Sequence, residues 1–183
     1  MAKRIKIMAI SGSLRSNSSN TMLVKAIEKL IPENIDYSIY EDLKSIPLFD
    51  ESDNPPAAIT KFREAIASAD GVLICSPEYA YGISGVLKNA IDWTVSSGEF
   101  YDKPVAIITA AINGERAHAA LLLIFEALSA QIDEAETLII PFVRSKLNKD
   151  GEITDATTLT AIQAVINSFI HNIQHNHQIG ELH

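Results

Sequence analysis

Short runs of aliphatic and β-branched residues alternate with longer stretches of helical periodicity along this chain, and few folds accommodate that rhythm. Ile5 to Ile10 is a strand candidate that runs into a Gly/Ser loop. From Asn20 the period changes. Leu23, Ala26, Ile27 and Leu30 recur at i, i+3, i+4 and i+7, one stripe of a helix, and Pro32 ends it because it has no N–H to continue the ladder. Asp36 to Tyr40, Gly71 to Ser76, Pro104 to Thr109 and Thr137 to Pro141 read as further strands. Ala57 to Ser68, Gly85 to about Ser96, Glu115 to Gln131 and Thr157 to Ile173 read as helices. The run Val72-Leu73-Ile74-Cys75 is apolar without a break, which suits a strand covered on both faces. Five strands alternating with helices predict an α/β fold, a doubly wound parallel sheet with right-handed crossovers.

The 183 residues fit one domain, expected over 1–174. The tail His175 to His183 offers little apolar surface and is expected to fray. The net charge of −8 and pI of about 5.1 repel a polyphosphate backbone, so nucleic acid is not an expected partner. A single small phosphate held by local donors stays compatible with that charge. No apolar run approaches the roughly 20 residues of a membrane span, and the N-terminal Met1 to Ile7 reads as a first strand, not a signal peptide. Cys75 is the only cysteine, which excludes an intrachain disulfide and suits a reducing cytoplasm.

In such a sheet, ligands bind beyond the carboxyl ends of the strands, near the switch in strand order. Residues 11–20, 76–84 and 110–116 occupy such positions. Ser11-Gly12-Ser13-Leu14-Arg15-Ser16-Asn17-Ser18-Ser19-Asn20 is rich in hydrogen-bonding side chains and sits between a strand and a helix start. Free N–H groups and the dipole at a helix N-terminus favour an anion. Ser13 and Ser18 can donate to phosphate oxygens, and Arg15 adds a charge-assisted contact. Neither G-x-G-x-x-G nor G-x-x-x-x-G-K-[ST] occurs in this loop, which disfavours a dinucleotide fold or a P-loop. No Cys lies between 11 and 20, so a phosphatase with a thiolate nucleophile is rejected. Taken alone, the loop is equally a polar connection in which Ser19 or Asn20 caps the helix.

The stretch from Ser76 to Trp93 is more specific. It contains Pro77-Glu78-Tyr79 and then Gly85-Val86-Leu87-Lys88-Asn89-Ala90-Ile91-Asp92-Trp93. Together with Gly12-Ser13-Leu14-Arg15, Ser18 and Asn20, these residues resemble the NAD(P)H-dependent FMN reductase family, whose flavodoxin-like members include quinone, chromate and azo-dye reductases. The element order agrees with that family over about residues 3–170. The resemblance implies a five-stranded sheet of order 2-1-3-4-5. It implies FMN as cofactor, with Ser11, Ser13, Arg15, Ser18, Ser19, Asn20 and Thr21 around its phosphate. Pro77, Glu78, Tyr79, Ala80, Tyr81, Gly82 and Ala111 would border the isoalloxazine. No side chain is implied as a catalytic acid or base, and no metal is expected.

The activity so implied is ping-pong hydride transfer from NADPH or NADH to bound FMN and on to a quinone, free flavin, azo dye or similar small acceptor. A homodimer or homotetramer is implied, with an interface near Trp93 to Phe100. Two departures stand out. Ala80 occupies a place where the family often has Asn, and the third loop, Ala110 to Arg116, has one glycine where paired glycines are common. An FMN electron carrier without NAD(P)H turnover is the main alternative, and a flavin-free binder on the same fold is the third.

Simpler roles stand beside these. Trp93 is expected in the core or at a subunit interface, not against flavin. Lys88 and Asp92, four apart, read as a surface pair, Cys75 as inert packing, and Glu78 as a brace for its own loop. The histidines form no metal set.

Overall fold

The computed structural model describes residues 4–52 and 54–180. The chain runs β1 (Ile5–Ser11), α1 (Ser19–Glu28), β2 (Ile35–Ile39), α2 (Ala57–Ser68), β3 (Gly71–Ser76), α3 (Gly85–Asp92), β4 (Val105–Ala111), α4 (Glu115–Ala127), β5 (Thr137–Pro141) and α5 (Ala156–Gly180). All strand pairings are parallel, in the order β2-β1-β3-β4-β5. This is the flavodoxin-like, doubly wound sheet expected from the alternation and the resemblance.

Strand side chains point to opposite faces in turn, and that divides the core. Ile5, Ile7 and Ala9 meet Leu23, Val24 and Ile27 of α1 and Ile162, Ile166 and Phe169 of α5 on one face. Met8 and Ile10 meet Ile59, Phe62 and Ile66 of α2, Leu87 and Ile91 of α3, and Phe125 of α4 on the other. All six residues of β3 are buried, as the unbroken run 72–75 required. Helix α5 crosses β3 so closely that a Cβ on Gly71 would lie 2.5 Å from Ile173 Cδ1 and 2.7 Å from Phe169 Cζ, so a side chain there would displace both.

Helix ends differ from the periodicity reading where tertiary contacts intervene. Helix α3 stops at Asp92, and α4 stops at Ala127, two residues before Ser129 enters the left-handed region at φ 56°. Helix α5 runs past Ile173 to Gly180, so residues 175–180 of the expected frayed tail are helical. Asn176 Nδ2 donates to Gln131 Oε1 at 2.5 Å, and His177 Nε2 lies 3.2 Å from Asp70 Oδ1, contacts that hold the extra turns. Residues 181–183 lie outside the described residues.

Trp93 is a core residue, 1% exposed. Its Nε1 donates to the Pro47 carbonyl at 2.9 Å, and Phe49 packs edge-on at 5.2 Å between centroids. Lys88 and Asp92 form the expected i, i+4 pair on the outer side of α3. Among the described residues, no helix is long and apolar enough to cross a membrane.

Candidate functional site

The carboxyl ends of β1, β3, β4 and β5 open onto a cleft of roughly 620 Å3, a size ordinary for small-molecule sites. Its first wall is the loop from β1 to α1. The Gly12 N–H donates to the Cys75 carbonyl at 2.8 Å and lays this loop over the end of β3. Ser18, not Ser19 or Asn20, is the N-cap: its Oγ accepts from Thr21 N at 3.1 Å. The Ser18 hydroxyl donates to Thr21 Oγ1 at 2.8 Å, and Thr21 Oγ1 donates to the Arg15 carbonyl at 3.1 Å. Ser11 Oγ accepts from Ser13 N, and Ser13 Oγ accepts from Arg15 N, both at 3.4 Å. Ser11, Ser13 and Thr21 are thus stitched into the loop and line a smaller pocket of roughly 200 Å3 on its other flank. Arg15, Asn17, Ser18, Ser19 and Asn20 line the cleft itself. The first turn of α1 carries no acidic side chain, and the amides of Ser19 and Asn20 meet no acceptor among the described residues.

Asn20 corrects an expectation. Its side chain is 4% exposed and its amide group is engaged at both ends. Nδ2 donates to the Ala110 carbonyl at 3.0 Å, and Oδ1 accepts from Cys75 Sγ at 3.2 Å. The side chain is a strut joining α1 to the ends of β3 and β4, and the backbone amide is what it leaves for an anion. Burial raises the Cys75 thiol far above its ordinary pKa, which keeps it a neutral donor to that strut.

The second wall is the segment after β3. Pro77, Glu78 and Tyr79 line the cleft, and Ala80, Tyr81 and Gly82 follow outside its lining. Tyr79 and Gly82 exchange two backbone hydrogen bonds of 2.9 Å, closing a two-residue hairpin. Such a turn needs positive φ at both central residues, and Ala80 (48°) and Tyr81 (63°) supply it without glycine or asparagine. Arg116 covers the Tyr81 ring, 4.8 Å from its centroid. The left-handed conformation costs an ordinary L-residue roughly 1–2 kcal/mol. Ala80→Asn, which tolerates that conformation, is therefore expected to stabilise the protein by about 0.5–1 kcal/mol, read as an increase in the urea midpoint at unchanged m-value.

Glu78 braces more than its own loop. Its Oε2 accepts from the amides of Arg116 (3.1 Å) and Ala117 (3.0 Å) at the start of α4. Gly114 sits at the N-cap of α4 with φ +99° and has no side chain to do this. A Cβ there would be strained at that φ and would press on Ile139 Cγ2 at 3.1 Å, so both conformation and space favour the single glycine of the third loop. Beneath this loop, His118 Nδ1 lies 2.9 Å from Thr109 Oγ1, and burial lowers the imidazole pKa. Ala110, Ala111 and Ile112 form the floor of the cleft.

Residues 5–144 match the family described as NADPH-dependent FMN reductase. The chain belongs to this family. A quinone reductase of Escherichia coli (strain K12) is 30% identical over 184 residues, spanning 95% of this chain and 98% of that one. An NAD(P)H-dependent FMN reductase of Pseudomonas aeruginosa is 41% identical over 116 residues, 61% of this chain and 62% of that one. The flavoenzyme NAD(P)H:(acceptor) oxidoreductase of Paracoccus denitrificans shares the fold, with a TM-score of 0.76 at 23% identity, covering 93% of this chain and 97% of that one. This family member is accordingly an NAD(P)H-dependent oxidoreductase with FMN as its cofactor.

The cleft suits that cofactor by its own chemistry. One end carries open amides and the Arg15 guanidinium, which has no partner among the described residues. The middle is walled by Pro77, Tyr79, Ala110, Ala111 and Ile112, flat and apolar enough for a ring system. A fourth wall, Phe142 to Ser145 after β5, lies outside the three loops singled out in the sequence. The rule that strand carboxyl ends bind ligands applies to β5 as well, and Pro141-Phe142-Val143-Arg144 carried an aromatic and a cation at that place.

Proposed function

We infer that this family member oxidises NADPH or NADH and passes the electrons through FMN to a quinone-type acceptor, with free flavins and azo dyes as further acceptors. The observation that carries this reading is one cleft with a cationic, amide-lined end and an apolar middle open to solvent. When bound, FMN supplies reversible two-electron chemistry. The phosphate would be held by Arg15 and the open amides of Ser19 and Asn20. Pro77, Tyr79 and Ile112 would keep water from the ring and orient it. The amides of Glu78 and Ile112 meet no acceptor among the described residues and border the cleft, where they would stabilise negative charge. No side chain need act as acid or base. The nicotinamide gives a hydride, and a quinone takes two electrons and two protons, the second proton coming from water. The relative named as a quinone reductase supports the acceptor class.

The free, buried Cys75 suits a cytoplasmic protein. A homodimer or homotetramer is part of the proposal. Trp93 and Phe100 are buried within the chain, which leaves Val95 (61% exposed) and Leu48 (84%), neighbours of the Trp93 contacts, as the apolar surface for it. The test is direct. Purified protein with FMN, NADPH or NADH and a benzoquinone should lose absorbance near 340 nm in proportion to enzyme, and light scattering on the same sample should give a multiple of the 20.0 kDa chain. No oxidation of either nucleotide would sink the enzyme reading in favour of an electron carrier.

A further inference from the structure

The sequence contains five arginines. Arg4 pairs with Asp36 at 3.0 Å. Arg63 Nε donates to the Trp93 carbonyl at 2.9 Å and lies 4.0 Å from Glu99. Arg116 covers the Tyr81 ring. Arg15 and Arg144 meet no carboxylate, carbonyl or ring among the described residues, and both line the cleft. They belong to different ends of it. The strand order β1-β3-β4-β5 puts the two loops that border the flavin ring between the loop of Arg15 and the loop of Arg144. At a strand spacing of roughly 4.8 Å, the ends of β1 and β5 stand about 14 Å apart. With the FMN phosphate at the β1 end, the cation at the β5 end is left without a part in holding the cofactor.

The β5 loop fixes that cation next to the ring-bordering β4 loop. Val143 is buried in the core, and its neighbours Phe142 and Arg144 are exposed. The Phe142 N–H donates to the carbonyl of Ile112, in the β4 loop, at 3.2 Å. The Phe142 carbonyl accepts from Ser145 N and Ser145 Oγ, both at 2.9 Å. Phe142 is held at φ 52°, a strained conformation for a bulky residue, and strain of this kind gathers at ligand sites. Its side chain is 62% exposed, so burial does not offset that strain. Lys146 is occupied by Asp155 at 3.2 Å, which leaves Arg144 as the cation of this loop that can take a ligand.

We propose that Arg144 binds a phosphate of the pyridine dinucleotide while the nicotinamide lies against the flavin ring. This rests on the NAD(P)H-to-FMN function proposed for the cleft. Hydride transfer needs the two rings in contact, so the phosphates of the same substrate must lie close by. Repulsion keeps them from the end that holds the FMN phosphate, and the β5 flank is the other end of the cleft. A net charge of −8 repels a polyanionic substrate, and a guanidinium at the cleft supplies local attraction. The planar fork matches phosphate oxygens, and Arg144 has only water to give up for them. A quinone is uncharged, so Arg144 acts on the half-reaction with the nucleotide and not on the one with the acceptor.

The test is steady-state turnover of the FMN-loaded protein with NADPH or NADH and a benzoquinone. In a ping-pong cycle, kcat/KM for each substrate reports its own half-reaction. Arg144→Ala should lower kcat/KM for NADPH about tenfold and leave that for the quinone within about twofold, with Arg144→Lys recovering part of the loss. Calorimetry should show NADP+ binding to the FMN-loaded protein weakened by a similar factor, and added salt should narrow the gap between wild type and variant. FMN affinity, followed by flavin fluorescence, should stay within about twofold, which also reports an intact fold. An equal loss with NADH assigns the pyrophosphate, and a loss with NADPH alone assigns the 2′-phosphate; either supports the proposal. Values within about twofold of wild type for both nucleotides would overturn it, as would an equal fall for the quinone or a loss of FMN affinity. Wild-type protein that oxidises neither nucleotide would overturn the enzyme reading and this proposal with it, whereas normal wild-type turnover beside an unaffected variant removes the Arg144 assignment alone.

Discussion

Arg15→Ala should weaken FMN binding by roughly ten- to a hundredfold, the range expected for losing a charge-assisted hydrogen bond to a phosphate. The guanidinium has no acceptor among the described residues, so its removal leaves no stranded protein partner and should not unfold the chain. The loss falls on the phosphate end of the cleft, so riboflavin affinity should barely change. NADPH oxidation should disappear at low flavin and return when FMN is raised, because the ring end is untouched. Added salt should narrow the difference between wild type and variant by screening the charge. Full flavin occupancy of the variant at low FMN would show that the phosphate lies elsewhere.

The second large effect is expected at Asn20, and it concerns stability before function. Asn20→Asp preserves shape and removes one donor. A carboxylate oxygen would then face the Ala110 carbonyl at the present 3.0 Å, in a place where the side chain is 4% exposed. A buried oxygen–oxygen contact with an unpaired charge costs about 3 kcal/mol or more, visible as a fall in the urea midpoint. Cys75 Sγ would retain an acceptor, so the damage should concentrate at the junction of α1 with β4. FMN binding should weaken as well, through misplacement of the Ser19 and Asn20 amides and repulsion of the phosphate. If Asn20→Asp matched wild type in stability, the side chain would be a ligand arm and not a strut.

The two sites show how far the candidate site was legible in the residues. Arg15 could be picked out because its loop follows a strand, precedes a helix and holds a cation amid hydroxyls. Nothing local distinguished Asn20 from Ser18 or Ser19 as the cap, and the partners that decided its role stand 55 and 90 residues away. Ser11, Ser13 and Thr21 each carried a plausible ligand oxygen, yet all three turn inward and bond one another or the loop backbone. Tyr79 lines the cleft, while Ala80 and Tyr81 form a hairpin that no glycine or asparagine advertises. Glu78 did brace a loop, though one belonging to α4, 38 and 39 residues further on.

By itself the sequence determined the alternation of strand and helix, the parallel sheet it demands, and the loop at which an anion can meet a helix N-terminus. These follow from period, proline placement and local chemistry, which act over a few residues and survive in any environment. Only the tertiary structure decided how far α5 extends, which hydroxyls turn inward, and that the β5 loop brings Arg144 to the same cleft as Arg15. Rotating a serine or arginine side chain between water and a buried partner changes its energy little until that partner is present. Residues from distant strand ends make that choice, and the fold brings them together.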